Sequence, residues 1–287
     1  MKTYLVTGIG GPAGRNVAEL LLERGQQVVG TDMRAVTLPG VEFHQVPPAG
    51  AKDFLDAILS IARREKVDCV IPTVSEELPV LAGAGRWPGE LPLLVSPREG
   101  ILTADDKYLT ARKLAGGGVN VPRFALPSQV HSARELAEKI GWPCISKPRV
   151  GRGGRGVSLH LKEDWPAISG LNDHFILQEF ADGTDYAPNV SLDRDGKALV
   201  VVLEKTELKD GIVGNAKSVK RVDAPDVCDL AAQAARIAGL FGPLDIDIRR
   251  RADGVPVVLE INARFGANIR QAPEVLEAAL DLLQVLP

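Results

Sequence analysis

The hydrophobic pattern of the first hundred residues alternates between strand-like and helix-like segments. Apolar runs at 3–8 (TYLVTG) and 27–32 (QVVGTD) flank VAELLLERG, in which apolar residues recur at helical spacing. An amphipathic segment at 51–66 and apolar runs at 68–74 and 92–96 continue the alternation. Because strands that alternate with helices form a parallel sheet covered on both faces, we expect an α/β unit here.

The pattern changes after the Pro/Gly-rich stretch that ends near residue 98. A helix at about 105–115, ended by three glycines, and a strand at 123–126 open a smaller unit, which closes with FILQEF at 175–180. Longer strands then follow at YAPNVSLD, ALVVVLEK, LDIDIRRR and VPVVLEIN, with a helix at about 227–241 between them and another near the end. We expect three units, 1–98, 99–180 and 181–287.

The composition and charge of the chain limit the kinds of function that it can have. The 287 residues are 45% hydrophobic, which is enough for two or three compact units. A net charge of −3 gives no overall basic field, so we expect no nucleic-acid partner. No apolar run approaches the roughly 20 residues of a membrane span, so we expect no membrane partner. Cys69, Cys144 and Cys228 match neither a disulfide framework nor a zinc spacing, and we expect a cytoplasmic protein.

A glycine-rich turn at 7–14 (TGIGGPAG) follows the first strand and opens the first helix. Glycines in this context let a backbone approach a pyrophosphate, and Asp32 ends the second strand, where dinucleotide-binding proteins hold a ribose hydroxyl. This indicates an NAD(P)-dependent reductase or epimerase. The alternative is a structural turn that allows close helix packing. We favour the structural turn because none of Tyr4, Tyr108 and Tyr186 is followed four positions later by the lysine that such reductases use.

A second glycine-rich loop follows Lys147, which ends an apolar strand (GWPCISKPRVGRGGRGV). The backbone N–H groups of its glycines are free to wrap an anion, and arginines add positive charge. A P-loop is excluded, since GxxxxGK[ST] is absent and the lysine precedes the glycines. For the glycines alone, an exposed basic hairpin tip is an equal alternative; Lys147 favours a flap over nucleotide phosphates.

The stretch LDIDIRRRADGVPVVLEINARFG predicts two adjacent strands joined at Asp253 and Gly254. Glu260 and Asn262 are two residues apart and share a face, and Asp247 lies on the neighbouring strand. Such oxygen ligands suit Mg²⁺. Alternating polar residues can also mark only a solvated face. We favour the metal site because the acid, the amide and the guanidinium of Arg264 stay on one side.

As an ordered set these motifs resemble the ATP-grasp superfamily, most closely the carbamoyl-phosphate synthase large chain and related carboxylate–amine ligases. The resemblance extends from TGIGGPAG through DDKYLTARKLAGGGVNVP, the glycine loop and ILQEFADGTDY to VLEINARFG. It implies an α/β protein in which a Rossmann-like N-terminal (pre-ATP-grasp) domain, 1–98, precedes a two-lobed α+β ATP-grasp fold. The small lobe with the flap would be 99–180, and the C-terminal lobe with the metal site 181–287.

The resemblance also implies roles for individual residues. Arg264 and Lys147 would act on the transferring phosphate, and the magnesium ligands would be Asp247, Glu260 and Asn262. The nucleotide would be bound by Lys107, Lys147, Gly151, Arg152, Gly153, Gly154, Gly156, Gln178, Glu179, Phe180 and Asp185. Lys205 and Lys217 fall where the family lines its acceptor region, although solvated surface lysines are the commoner explanation.

The function implied is an ADP-forming ligase that uses ATP and Mg²⁺, or Mn²⁺, to activate a small carboxylate for attack by an amine. A homodimer is compatible with the resemblance. Aspartate at position 247 and Ala263 depart from the glutamine and proline that the family often has there, without loss of the oxygen ligand. This sequence shows no second ATP-grasp half, no glutaminase and no biotin-carboxylase C-terminal domain, so we expect that it does not make carbamoyl phosphate itself. The NAD(P)-dependent reductase and a catalytically silent ATP-binding module remain alternatives.

Overall fold

The computed structural model describes residues 1–85, 87–88, 91–151, 153–210 and 213–283. The first unit contains β1 (Thr3–Thr7), α1 (Pro12–Glu23), β2 (Gln27–Asp32), β3 (Val41–Gln45), α2 (Phe54–Arg64) and β4 (Cys69–Ile71). Its strands pair in the order β3-β2-β1-β4, and every pairing is parallel, as the alternating pattern predicted. The prediction at 92–96 was wrong in extent, since Leu93 makes only an isolated bridge to Val70.

The glycine turn after β1 is packed against its own surroundings. The Gly10 amide donates a hydrogen bond to the Asp32 carboxylate (2.9 Å), and the Arg34 amide donates another to it (3.0 Å). A Cβ at Gly14 would lie 2.4 Å from the Gly8 carbonyl oxygen, so a larger residue would clash with backbone. These contacts favour the structural explanation of the turn.

The second unit is built on a four-stranded antiparallel sheet in the order β5-β8-β6-β7. Its elements, with the helices that precede it, are α3 (Leu78–Ala82), α4 (Arg98–Asp105), α5 (Lys107–Gly116), β5 (Phe124–Ala125), α6 (Ala133–Lys139), β6 (Cys144–Pro148), β7 (Ser158–His160), α7 (Trp165–Ser169) and β8 (Phe175–Glu179). Another helix, α4, therefore precedes the single helix predicted at 105–115, and the helical conformation is interrupted between the two at Asp106.

The third unit is a seven-stranded antiparallel sheet. It contains β9 (Asp185–Tyr186), β10 (Asn189–Leu192), β11 (Ala198–Val201), β12 (Leu203–Asp210), β13 (Val213–Arg221), α8 (Pro225–Ala238), β14 (Gly242–Arg250), β15 (Pro256–Asn262) and α9 (Pro273–Leu282). The predicted hairpin is confirmed: β14 pairs antiparallel with β15, and Gly254 in the turn has a φ of 81°.

Two cores join the units. One packs α4, α5 and α8 against β10, β14 and β15, with Leu114, Ala234 and Ile246 fully buried. The other packs Phe265 and the apolar residues of α9 against β1 and α1. The large antiparallel sheet therefore packs against both the first unit and α5. Strands β6 and β8 of the small sheet lie opposite the large sheet across a cleft. No helix in the described part of the chain combines the length and the apolarity that a membrane crossing requires.

The buried carboxyl group of Glu77 takes part in hydrogen bonds within the first unit and should make the stability of the fold depend on pH. Thr7 Oγ1 donates a hydrogen bond to Glu77, and Thr73 Oγ1 donates one to the Thr7 carbonyl oxygen (2.7 Å). Burial raises the pKa of Glu77 to about 7 from an ordinary value of 4.5, although the hydrogen bond from Thr7 opposes the shift. Between these values the folded state keeps a proton that the unfolded state releases.

We therefore expect the free energy of unfolding, relative to that of Glu77→Gln, to fall as the pH rises from about 4.5 to about 7. Urea unfolding of both proteins across this range measures the difference. Glu42→Gln, a change at an exposed carboxylate on β3, should follow the wild-type profile. A constant difference between wild type and Glu77→Gln would contradict the expected protonation of Glu77.

Candidate functional site

A cleft lies between the small and the large antiparallel sheets, with a volume of about 860 Å³ that includes the solvent at its open mouth. Its walls come from β6 and β8 on one side and from β14, β15 and the start of α5 on the other. Most of the residues singled out in the sequence line it together: Lys107, Lys147, Gly151, Gly153, Gly154, Gln178, Glu179, Phe180, Asp185, Asp247 and Glu260. The structure thus brings residues from four separate motifs to one cavity.

Lys147 projects from β6 into the cleft and bridges the two sheets. It is only 7% exposed, and its Nζ donates a hydrogen bond to the carbonyl oxygen of Leu259 on β15 (3.2 Å). Burial lowers its pKa to about 8; the Lys107 ammonium acts in the same direction, whereas Glu260 and Asp247 oppose the shift. The ammonium is therefore poorly compensated by the protein, which is the environment that suits an anionic ligand.

Lys107 is placed by the start of α5. Asp106 caps this helix by accepting hydrogen bonds from the amides of Tyr108 (2.9 Å) and Leu109 (3.2 Å), so the next side chain leaves the first turn in a fixed direction. Lys107 Nζ donates a hydrogen bond to the Gly151 carbonyl oxygen (2.6 Å) and lies 3.4 Å from Glu260 Oε2. Its side chain joins the glycine loop to β15.

Arg149 fixes this cap against the end of β6. Its guanidinium donates to both carboxylate oxygens of Asp106, with an Nη2–Oδ2 distance of 2.5 Å, and stacks 5.3 Å above the Tyr108 ring. Its carbonyl oxygen accepts a hydrogen bond from the Lys107 amide (2.9 Å). The sequence reasoning missed Arg149, whose part depends on a contact 43 residues away along the chain.

The glycine loop closes one side of the cleft. Gly151, Gly153 and Gly154 line it, whereas Gly156 packs against Pro148, where a Cβ would come within 2.9 Å of Pro148 Cγ. Gly153 and Gly154 have φ values of 67° and 73°, a region that residues with a side chain rarely adopt. Arg152 lies outside the described residues.

The end of β8 supplies the apolar and amide groups of the cleft. Gln178 is 2% exposed, and its Nε2 finds no acceptor among the described residues. Such a buried donor costs free energy until a partner arrives. Glu179 is held by the Arg123 guanidinium (3.3 Å), and the Phe180 ring lies 5.8 Å from the guanidinium carbon of Arg249.

A buried network of charges forms the floor of the cleft. Lys205 Nζ lies 2.5 Å from Asp247 Oδ1 and 3.1 Å from Asp185 Oδ1, and Arg249 lies 3.2 Å from Asp185. Burial would raise the pKa of Asp247, but the Lys205 ammonium, together with Glu260 and Arg264, outweighs burial, and the pKa lies below its ordinary value. For Asp185, burial dominates and the pKa is raised.

The structure places Lys205 and Lys217 apart. The Lys205 side chain is 8% exposed and belongs to the cleft floor, whereas the Lys217 side chain is 63% exposed and pairs with Glu207 at the surface. Of the two lysines that the resemblance singled out, Lys205 thus lies in the cleft, and its position there depends on the pairing of β12 with β9.

The three residues predicted to bind metal lie on one face of the β14–β15 hairpin. Asp247 is directly opposite Glu260, and Asn262 is opposite Asp245. Asp247 and Glu260 line the cleft, while Asn262 lies just beyond it and donates a hydrogen bond to the Asp245 carbonyl oxygen (3.2 Å). Within the described residues there is no group of three or more His, Cys, Asp or Glu side chains that would suit a metal.

Arg264 is held away from the cleft lining. Its Nη1 donates hydrogen bonds to Asp245 Oδ2 (2.8 Å) and to the Phe265 carbonyl oxygen (3.1 Å), and it lines neither the cleft nor the cavity beside it. Burial raises the pKa of Asp245 even though the Arg264 guanidinium opposes the shift. The sequence placed Arg264 on the metal-binding face, but it did not reveal the Asp245 contact.

A second, smaller cavity of about 540 Å³ adjoins the cleft at its Lys107 end. Lys107, Gly151 and Glu260 line both spaces. The remaining wall comes from the turn after β4, from α4 and from the end of β15. Sequence reasoning did not identify this cavity, because its residues come from all three units and the motifs do not connect them.

Comparison with known proteins places this geometry in context. A family model described as the ATP-grasp domain matches residues 104–268. A formate-dependent phosphoribosylglycinamide formyltransferase from Synechococcus sp. (strain CC9605) is 28% identical over 190 residues, 62% of this chain and 47% of the relative. The carbamoyl phosphate synthase large chain of Rubrobacter xylanophilus is 26% identical over 230 residues, 74% of this chain and 21% of the relative. The chain spans about half the length of the formyltransferases that it matches.

Solved structures show the same fold. An L-amino acid ligase from Bacillus licheniformis has a TM-score of 0.73 at 21% identity, covering 100% of this chain and 74% of that one. An N5-carboxyaminoimidazole synthetase from Staphylococcus aureus, complexed with ADP, has a TM-score of 0.74 at 16% identity, covering 98% and 77%. The predicted fold class is confirmed.

Asp106 should be a measurable source of stability. Replacing it with Ala removes the helix cap, for which we expect a loss of about 1–2 kcal/mol in the free energy of unfolding, together with the ion pair to Arg149. Asp106→Asn keeps a capping oxygen and should lose less. Chemical unfolding at pH 7 measures both variants, and equal stability of wild type and Asp106→Ala would contradict the assignment.

Asp106 should also make the free energy of unfolding depend on pH, with a sign opposite to that expected for Glu77. Burial opposes ionisation of Asp106, but the hydrogen bonds from Arg149 and the helix amides outweigh it, so its pKa lies below the ordinary 3.8. The stability that its charge contributes is present above pH 3.8 and is lost as the pH falls through the lower folded value. The difference between wild type and Asp106→Asn should therefore shrink in acid.

Proposed function

Because the chain belongs to the ATP-grasp domain family, we propose that it is an ATP- and Mg²⁺-dependent, ADP-forming ligase. It activates a small carboxylate as an acyl phosphate, which an amine then attacks to form a carbon–nitrogen bond. The observation that carries the proposal is the convergence in one cleft of Lys107 and Lys147, both more than nine-tenths buried, with Gln178, whose Nε2 has no acceptor in the part of the chain that the structure describes.

The cleft offers each part of ATP a matching group. We assign the adenine to the end of β8, where Gln178 Nε2 lacks an acceptor among the residues described and Glu179 and Phe180 line the wall. The ribose is assigned to Asp185. The phosphates are assigned to Lys107, Lys147 and the amides of the glycine loop, because these groups line the cleft together, whereas Lys205 and Arg249 are paired with buried carboxylates.

The oxygen atoms of Asp247, Glu260 and Asn262 fit a hard divalent cation. Carboxylate and amide oxygens are ligands that Mg²⁺ and Mn²⁺ accept, and the three side chains lie on one face of the hairpin. With only two carboxylates in this set, phosphate oxygens of the nucleotide would complete the coordination. When bound, the cation supplies positive charge beside the transferring phosphoryl group.

The residues of the chain then account for the chemistry. A carboxylate oxygen attacks the γ-phosphorus, and the bond to the bridging oxygen breaks to release ADP. Lys147 and Lys107 neutralise charge that would otherwise repel the attacking anion, and the glycine loop keeps water from the acyl phosphate. Arg264, held by Asp245 in this structure, is proposed as a further phosphate contact.

Relatives and neighbours support this reaction class. The synthetase from Staphylococcus aureus was solved with ADP, and the biotin carboxylase domain of a Hydrogenobacter thermophilus carboxylase was solved with MgADP and bicarbonate. The NAD(P)-dependent alternative is less well supported, because Asp32 already accepts two backbone hydrogen bonds within its own turn. A catalytically silent ATP-binding module would have the same cleft, and a turnover assay distinguishes it from a ligase.

We also propose the division at 98/99 and 180/181, which leaves one sheet in each unit. Helices α4 and α5 nevertheless pack on the large sheet, so the middle unit is not independent of the last. Three free cysteines agree with a reducing cytoplasm as the compartment. A homodimer is proposed as the assembly, for which light scattering gives the mass.

Nucleotide binding is the first expectation. Lys147→Ala should weaken binding of a non-hydrolysable ATP analogue by about 1.5–3 kcal/mol, the value of a hydrogen bond to a charged group. Calorimetry at millimolar Mg²⁺ measures the loss. Lys162→Ala, which removes an exposed lysine outside the cleft, should bind as wild type does. Wild type that fails to bind the analogue would refute the proposal.

Glu260 should affect turnover more than binding. A metal ligand acts mainly on charge that develops in the transition state, so Glu260→Gln should reduce kcat by two or more orders of magnitude while the analogue still binds. ADP release measures kcat. Glu207→Gln, at an exposed carboxylate on β12, is the matched control. Full activity of Glu260→Gln would contradict the site.

A further inference from the structure

The two carboxylates proposed to bind the metal are each paired with an ammonium group in this structure. Glu260 Oε2 lies 3.4 Å from Lys107 Nζ, and Asp247 Oδ1 lies 2.5 Å from Lys205 Nζ. Asp247 and Glu260 are directly opposite each other on β14 and β15, and both line the cleft. A divalent cation that reaches this pair of carboxylates therefore meets two positive charges as well.

Lys205 is held beside Asp247 from two sides. Its Nζ also lies 3.1 Å from Asp185 Oδ1, and its side chain is only 8% exposed. Because little water reaches this ammonium group, its charge acts almost unscreened on the carboxylate that it contacts. A cation bound to the same carboxylate would have to overcome the repulsion.

The other charges of the cleft add to this repulsion. The described residues that line it include five cationic side chains and four carboxylates: Lys107, Lys147, Arg155, Lys205 and Arg249 against Glu179, Asp185, Asp247 and Glu260. With each group in its ordinary ionised form, the lining has an excess of one positive charge. A free Mg²⁺ or Mn²⁺ would increase this excess, and accumulating like charge away from water is costly.

A nucleotide would reverse this balance. The triphosphate of ATP carries several negative charges, which outweigh the positive excess, and its phosphates are assigned above to Lys107 and Lys147. When Lys107 contacts phosphate, Glu260 loses its competing partner, and phosphate oxygens join the ligands offered to the cation. Lys205 lies on the floor of the cleft and keeps both of its carboxylate partners.

We infer that Lys205 makes cation binding depend on the nucleotide: by pairing with Asp247, it excludes Mg²⁺ and Mn²⁺ from the cleft until ATP supplies compensating negative charge. The inference rests on the metal site of the proposed function and adds a regulation of that site. Lys205 is thus a positioning residue, which acts on the cation through Asp247. The protein takes up the cation and the nucleotide together.

Binding of Mn²⁺ to the full chain tests the inference, measured by water-proton relaxation, which is enhanced when Mn²⁺ is bound to a protein. We expect wild type to show enhancement with Mn²⁺ plus a non-hydrolysable ATP analogue and none with the same concentration of Mn²⁺ alone. Lys205→Met should bind Mn²⁺ alone about tenfold more tightly than wild type, or better, because a charged contact that competes for Asp247 is removed.

Matched variants show whether the charge of Lys205 is responsible. Lys205→Arg keeps a cation and should need the analogue, as wild type does. Lys217→Met changes an exposed lysine on β13, outside the cleft, and should also behave as wild type. Adding Glu260→Gln to Lys205→Met should abolish the binding of Mn²⁺ alone, because one of the two carboxylate ligands is lost.

A second measurement covers a loss of stability in Lys205→Met. Removing the lysine leaves Asp185 and Asp247 without the ammonium that they share, so the variant should unfold at a lower temperature than wild type. Since a ligand that binds only the folded state stabilises it, Mg²⁺ without nucleotide should raise the Tm of Lys205→Met and leave that of wild type unchanged. Lys205→Gln is the second variant for both measurements.

The outcomes separate the inference from the proposed function. Wild type that binds Mn²⁺ alone as tightly as Lys205→Met does would overturn the inference and leave the ligase and its metal site intact. Folded Lys205→Met and Lys205→Gln that still need the analogue would overturn it as well, since the lysine would then serve stability alone. Wild type that shows no enhancement even with the analogue would overturn the proposed metal site and the inference together.

Discussion

Two buried ammonium groups placed beside one carboxylate are the constraint on which the site depends. Lys107 enters the cleft from the start of α5 and Lys147 enters it from β6; Glu260 lies 3.4 Å from Lys107, and its charge also acts on Lys147. Burying a charge is costly unless it is compensated, and the lowered pKa of Lys147 shows that the protein compensates this one only in part. A polyphosphate would supply the missing negative charge.

Much of the surrounding structure serves to hold these groups in place. The Asp106 cap and Arg149 fix the first turn of α5, and therefore Lys107, against the end of β6. The pairing of β6 with β8 sets Lys147 and Gln178 on the same wall. An irregularity between Asp247 and Ile248 leaves Leu259 outside the register, so both Leu259 and Glu260 face the cleft.

The sequence revealed the parts of the site that local patterns determine. Lys147 precedes a glycine loop at the end of an apolar strand, and Glu260 and Asn262 share a face because strand residues alternate. Arg149 and Arg249 could not be found this way, since the contacts of each depend on which distant elements meet. Helix α4 was also missed, because it begins directly after the Pro/Gly-rich stretch that marked the boundary, and the predicted helix started only at about residue 105.

Transfer of oxygen from the carboxylate to phosphate tests the central claim most directly. An acyl phosphate carries one carboxylate oxygen, and that oxygen leaves with inorganic phosphate when the amine attacks. The protein is therefore incubated with Mg-ATP, an amine and a turnover-supporting carboxylate labelled with ¹⁸O, and the phosphate is examined by ³¹P NMR. We predict one ¹⁸O atom in each phosphate formed; phosphate that carries no label, released at the same rate as ADP, would contradict the account.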